Sequence, residues 1–190
     1  MMKDLVAKNR SYRRFDESFS MDEKVLRELV DIARLTASAA NFQPLKYILS
    51  WTKMKNDRIF PNLAWAGHLK EWPGPAEGER PTAYIVLLLD KERAHGAEFD
   101  AGIATQTILL GAAEKGLGGC MIASVNRKSL RKDLGISDRY EIILVIALGK
   151  PIEHVIIDTV GVDGNIKYWR DADGGHHVPK RSLEDIILPF

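Results

Sequence analysis

The apolar positions of this chain fall into two rhythms. Val25, Leu26, Leu29, Val30, Ile32, Ala33 and Leu35 recur at helical spacing. Ser20 followed by Glu23 reads as a capping box, so a helix is expected from about Met21 to about Leu35. Thr82 to Leu89 is instead a continuous apolar run closed by Asp90, the pattern of a central strand buried on both faces. Tyr140 to Leu148 is a second such run. Lys46 to Trp51 and Gly118 to Ser124 read as further strands, and His154 to Thr159 as an edge strand. Ala97 to Lys115 carries no charge between Ala101 and Ala113. A helix so apolar all round is expected to be buried on most sides, wrapped by the sheet or held in a dimer interface. Gly116 is placed to end it in a left-handed cap.

Shorter signals fill the gaps. Residues 3–9 read as a short helix, and Asn56 to Ala66 as another, broken or started at Pro61. Asn126 is an N-cap candidate for a helix to Leu134. Ser182 to Leu188 is a short amphipathic segment. His68 to Pro81 is punctuated by proline and glycine and is expected to be irregular, with Trp65 and Trp72 as pocket covers or core anchors. Gly161 to Gly175 is polar and turn-rich. No repeat or linker divides the chain, so one domain over residues 1–190 is expected.

Composition narrows the class. Lys and Arg number 27 against 26 Asp and Glu, a net charge of +1, which argues against broad nucleic-acid binding. Cys120 is the one cysteine, so no intrachain disulfide forms. The start, Met-Met-Lys-Asp-Leu-Val, lacks the apolar run of a signal peptide, and no uncharged stretch is long enough to span a bilayer. The expectation is a soluble, cytoplasmic protein that binds neither membrane nor nucleic acid.

Two basic clusters carry the candidate chemistry. Arg10-Ser11-Tyr12-Arg13-Arg14 sets three guanidinium groups and a hydroxyl side by side near one end, and Pro179-Lys180-Arg181-Ser182 lies near the other. Guanidinium forks match phosphate oxygens in pairs. Each cluster alone also reads as a solvated basic patch; together they suggest that the two ends meet around one phosphate. Ala37-Ser38-Ala39-Ala40-Asn41-Phe42-Gln43-Pro44 is either a helix exit or a ligand loop. Its small side chains admit a close neighbour, and Asn41 and Gln43 offer donors and acceptors.

Other motifs are set aside. Gly116-Leu117-Gly118-Gly119 follows a helix and precedes a strand, the reverse of a dinucleotide fingerprint. His176-His177 beside Asp171 and Asp173 lacks the spacing of a metal site and reads as a surface loop; no metal is expected. Cys120 reads as a small buried hydrophobe. Anion-binding groups without acid–base or nucleophilic machinery, and hence no assigned catalytic residue, fit a protein whose cofactor does the chemistry.

Four segments in this order resemble the nitroreductase family of FMN-dependent oxidoreductases. Arg10-Ser11-Tyr12-Arg13 is similar to the family's phosphate motif, and residues 37–44 to its flavin loop. Lys115-Gly116-Leu117-Gly118-Gly119 is similar to its Gly-Leu-Gly segment, and Lys180-Arg181-Ser182-Leu183 to its basic C-terminal motif. Ala37 stands where the family usually has proline, and Leu45 where an aromatic often follows. The resemblance implies an α+β fold: a central, mainly antiparallel sheet flanked by helices, in an intertwined homodimer with FMN at the interface. It implies that Arg10, Ser11, Arg13, Lys180 and Arg181 hold the FMN phosphate. Ser38, Ala39, Asn41 and Gln43 would reach the ring and ribityl chain, in part from the partner subunit, and Ile122, Ala123 and Ser124 would lie along the ring. The implied activity is electron transfer from NADH or NADPH through the flavin to a nitroaromatic or quinone. A non-enzymatic FMN-binding protein, a protein electron donor, or other flavin chemistry such as dehalogenation or flavin breakdown stays open.

Overall fold

The computed structural model describes residues 1–93 and 97–189. Its centre is a four-stranded sheet in the order β1 (Leu45–Ser50), β2 (Ala83–Asp90), β4 (Tyr140–Gly149), β3 (Gly118–Ile122), with every neighbouring pair antiparallel. Ile85 sits opposite both Leu49 and Ile146, which fixes the register across the middle. Between Leu87 and Leu88 the pairing steps from Leu144 to Ile142, a bulge that leaves Ile143 without a partner in β2.

Both faces of β2 are covered, as its unbroken apolar run requires. Ala83 and Ile85 point to one face, against Leu26 and Leu29 of α2 (Glu23–Arg34) and Ala104, Ile108 and Ala112 of α4 (Ala97–Glu114). Tyr84, Val86 and Leu88 point to the other, with Cys120, Ile122, Ile59 and Leu130 of α5 (Arg127–Leu134). Helices α2 and α4 meet closely at Gly111, where an added Cβ would lie 2.3 Å from the Ile32 side chain. Helix α1 (Met2–Lys8) packs on α4 and delivers the Arg10 segment.

The structure corrects several expectations. Asp22, not Ser20, caps α2: its side chain accepts the Lys24 N–H at 2.5 Å. The helix expected over Asn56 to Ala66 is replaced by α3 (Lys53–Asn56) and one 3₁₀ turn, Phe60–Asn62. Asn56 is drawn inward instead, donating to the Thr82 carbonyl at 2.8 Å and accepting from the Ser50 hydroxyl at 2.7 Å. Of the two coverings expected for α4, wrapping by the sheet alone is not what the single chain has, since Phe99 and Ile103 are exposed. The His176-His177 pair, expected in a surface loop, lies in a strand. That strand, β7 (His176–Lys180), is central to a second sheet, parallel to β5 (Val155–Thr159) and antiparallel to the short β6 (Trp169–Arg170). Pro179 is tolerated there because β6 reaches only His176 and His177. Among the described residues, no helix is long and apolar enough to cross a membrane.

Candidate functional site

Alternation along a strand puts residues 176, 178 and 180 of β7 on one face. His176, Val178 and Lys180 line a cavity of about 260 Å³ together with Asn9, Arg10, Ser11 and Arg13. Gln106 and Leu109 of α4 and Met121 of β3 close its other side. The two ends of the chain therefore meet, as the basic clusters suggested. The Arg10–Arg13 segment is held at the edge of β3: Ser11 bridges Gly119, and the Tyr12 N–H donates to the Gly119 carbonyl at 3.0 Å.

Arg13 is the most buried of the three arginines in this cluster. Its backbone N–H donates to Glu153 Oε2 at 2.9 Å, and its Nη1 donates to the Ser11 carbonyl at 3.2 Å. The same Nη1 lies 3.2 Å from His176 Nε2, and the guanidinium sits over the Tyr168 ring at 4.9 Å. Glu153 also accepts from Arg170 Nη2 at 2.5 Å, so this buried carboxylate is compensated on both oxygens. Burial holds the His176 imidazole below its ordinary pKa, with Arg13 and Arg170 adding to the effect against the opposing pull of Glu153. Two residues that line this cavity each keep a buried side-chain nitrogen without a partner: Arg10 at Nε and His176 at Nδ1.

The neighbouring basic residues point elsewhere. Arg14 makes a two-pronged pair with Glu79, at 2.9 and 2.5 Å. Arg181 donates to the Asp185 carbonyl and does not line the cavity, so the C-terminal motif contributes Lys180 alone.

A second cavity of about 230 Å³ shares Arg13, Met121 and Tyr168 with the first. Ile122, Ala123 and Ser124 line one side and residues 64–67 the other, tied by the Ala64 N–H donating to the Ser124 carbonyl at 2.9 Å. Trp65 belongs to this wall, while Trp72 lies under the Arg170 guanidinium at 4.3 Å and lines neither cavity. Cys120 is also at this cavity, but burial raises its thiol pKa and leaves it a poor nucleophile.

The 37–44 loop lies apart within one chain. Ser38 and Gln43 line a third cavity, of about 220 Å³, which shares no residue with the first. Ala39 and Asn41 belong to the same loop, in the 3₁₀ turn Ala39–Asn41. Ser38 Oγ donates to Asp100 at 2.5 Å, the Ala39 N–H donates to the same carboxylate at 2.9 Å, and Ser38 Oγ accepts the Gln43 N–H at 2.9 Å. Ala40, Asn41 and Gln43 all take positive φ, at 44°, 57° and 49°. Three non-glycine residues in that region store strain that the Asp100 anchor must offset.

Sequence reasoning missed His176, Tyr168 and Gln106. The first had a usable signal, because residues 176, 178 and 180 alternate on a strand that ends in the basic cluster. Tyr168 and Gln106 had none, since only tertiary packing brings them to the site. Among the described residues, no group of three or more His, Cys, Asp or Glu is arranged to hold a metal ion.

A model of the nitroreductase family matches residues 6–150. The fold is shared with a nitroreductase family protein from Streptococcus pneumoniae TIGR4 (21% identity, TM-score 0.65), covering 80% of this chain and 92% of that one. It is shared with an FMN-dependent nitroreductase from Clostridium difficile R20291 (23%, TM-score 0.64), covering 79% and 87%. A chain from Exiguobacterium sibiricum 255-15 solved in complex with FMN is similar too (14%, TM-score 0.67), covering 80% and 89%. No curated protein matches. Residues 151–190, which include the second sheet, His176 and Lys180, lie beyond the family match.

Proposed function

The chain belongs to the nitroreductase family, and on that premise we propose that it is an FMN-dependent oxidoreductase. It takes electrons from NADH or NADPH and passes them to an electron-poor acceptor such as a nitroaromatic or quinone. The observation that carries this reading is the convergence of Arg10, Ser11, Arg13 and Lys180 on one cavity that adjoins the Ile122–Ser124 strand end. Arginine and lysine side chains are donors only, and Arg10 Nε is buried there without a partner, so the cavity suits an anion.

Arg10, Ser11 and Lys180 would hold the phosphate, with Arg13 as a fixed cation behind them. Ile122, Ala123 and Ser124 would lie along the ring, opposite the wall that contains Trp65. Bound there, FMN supplies the hydride acceptor and donor, and the protein supplies placement and exclusion of water. No protein acid or base is required by this reading.

The working unit in this proposal is a homodimer of one-domain chains, each spanning residues 1–190. Exposed Phe99 and Ile103 on α4 supply an apolar face for a second copy. The Ser38, Ala39, Asn41 and Gln43 loop, remote from its own chain's phosphate cavity, would complete the partner's site. The test is NADH or NADPH oxidation by purified protein supplied with FMN and a panel of nitroaromatic and quinone acceptors. FMN-dependent turnover supports the proposal; bound FMN without turnover on any acceptor leaves a binding protein and overturns the enzymatic reading.

A further inference from the structure

The strand β7 brings a second group to the anion cavity besides Lys180. We propose that His176 is a direct ligand of the bound phosphate, its Nδ1–H donating to a phosphate oxygen beside Arg10 and Lys180. The inference rests on reading this cavity as the site of the flavin phosphate.

The tautomer follows from the chemistry of the neighbour. A guanidinium has five N–H donors and no acceptor. Arg13 Nη1 lies 3.2 Å from His176 Nε2, so a hydrogen bond there needs a lone pair on Nε2. The proton of the neutral ring is then on Nδ1. That nitrogen is buried and has no partner, and the residue as a whole is 1% exposed. A buried N–H left unpaired is destabilising, and an anion in the adjoining cavity would remove that cost. Arg10 lines the same cavity; its Nη2 donates to the Val6 carbonyl at 2.8 Å, and its Nε, also buried and unpaired, calls for the same kind of acceptor. His176 and Lys180 fall on one face of β7 because they are an even number of residues apart. Arg13 thus acts through His176 as well as by its own charge: it is a positioning residue that fixes which ring nitrogen donates.

The experiment compares FMN and riboflavin binding by fluorescence titration in the wild type, H176A and H176N. Riboflavin has the ring and ribityl chain but no phosphate. A hydrogen bond to a charged oxygen corresponds to about tenfold to hundredfold in affinity. H176A is expected to lose that much affinity for FMN while riboflavin binding stays within about twofold. H176N, whose amide nitrogen can occupy the Nδ1 position, is expected to recover most of it. If H176A does not fold, H176Q stands in for it, because its carbonyl can accept from Arg13 without setting a donor at Nδ1. Equal loss for both ligands, or no loss for FMN, overturns the proposal.

Inorganic phosphate is the second probe, read as a rise in Tm. A rise in the wild type and H176N that is missing in H176A supports the role of His176. If that pattern holds while the wild type binds no flavin, the flavin reading fails and the phosphate ligand stands. A wild type that responds to neither phosphate nor FMN overturns both.

Discussion

Ser38 Oγ donates to Asp100 Oδ2 at 2.5 Å across 62 residues of sequence. The neighbouring Ala39 N–H donates to Oδ1 at 2.9 Å, and Asp100 is only 4% exposed. One carboxylate on α4 therefore pins a loop that holds three non-glycine residues at positive φ. Asp100→Ala should release it. Hydrogen bonds to a charged group contribute about 1.5–3 kcal/mol, so Tm should fall by roughly 3–12 °C at this chain length. Differential scanning calorimetry checks this, and an unchanged Tm would show that the loop is held by something else.

Gly74 and Trp65 make a second dependence of this kind. Gly74 has φ of +117°, and a Cβ there would lie 2.6 Å from Trp65 Cδ1. Gly74→Ala should cost about 1–3 kcal/mol through overpacking and backbone strain. Because Trp65 lines the cavity beside Ile122–Ser124, its fluorescence should shift in the same variant. Lost stability with unchanged emission would mean that the strain is absorbed away from Trp65.

His177 lies between two carboxylates, with Asp158 at 2.8 Å from Nδ1 and Asp171 at 3.0 Å from Nε2. It joins β5 to the turn before β7 and stacks on Trp169 at 4.1 Å. Hydrogen bonds to Asp171 and then Asp158 raise its pKa. Its contribution is therefore fully present below the unfolded value of about 6.5 and is lost as pH rises through the raised folded pKa. Asp171 is held low, first by the hydrogen bond to His177. Its contribution is present above its unfolded value of about 3.9 and is lost as pH falls through the depressed folded pKa. Melting curves from about pH 6 to about pH 9 should show a decline in the wild type that His177→Gln flattens. Parallel curves for the two proteins would exclude His177 as its source.

The two halves of the C-terminal basic pair should separate experimentally. Lys180 lines the anion cavity, whereas Arg181 donates to the Asp185 carbonyl. Lys180→Ala should weaken FMN binding by about tenfold or more, and Arg181→Ala should weaken it less. Titration of both variants with FMN decides this, and the reverse order would return Arg181 to the site.

Legibility in the sequence tracked locality. The runs Thr82–Leu89 and Tyr140–Leu148 announced the central strands because burial on both faces leaves Ala83–Leu89 and Ile142–Leu148 without a charged residue. Asn126 announced α5, since an N-cap is a local bond, here to the Ser129 N–H at 3.1 Å. The stretch after Asn56 misled because its outcome turns on long-range bonds, such as Asn56 to the Thr82 carbonyl. The meeting of Arg10 and Lys180 could be suspected from charge alone. His176 had a signal in its alternation with 178 and 180, but the donor role proposed for it had none, because that depends on where Arg13 places its guanidinium after folding. Ser38 reads as a ligand-loop serine in sequence, and its bond to Asp100 is equally a product of tertiary packing.

FMN binding and redox cycling by this protein would both be visible in one experiment. The most direct measurement is the visible absorption spectrum of the purified protein with FMN added and unbound flavin removed, followed by NADH and then NADPH under anaerobic conditions. Retained flavin bands that bleach with one or both nicotinamides are the predicted result. A protein that retains no flavin, or whose bound flavin stays oxidised with both, is not an FMN-dependent NAD(P)H oxidoreductase.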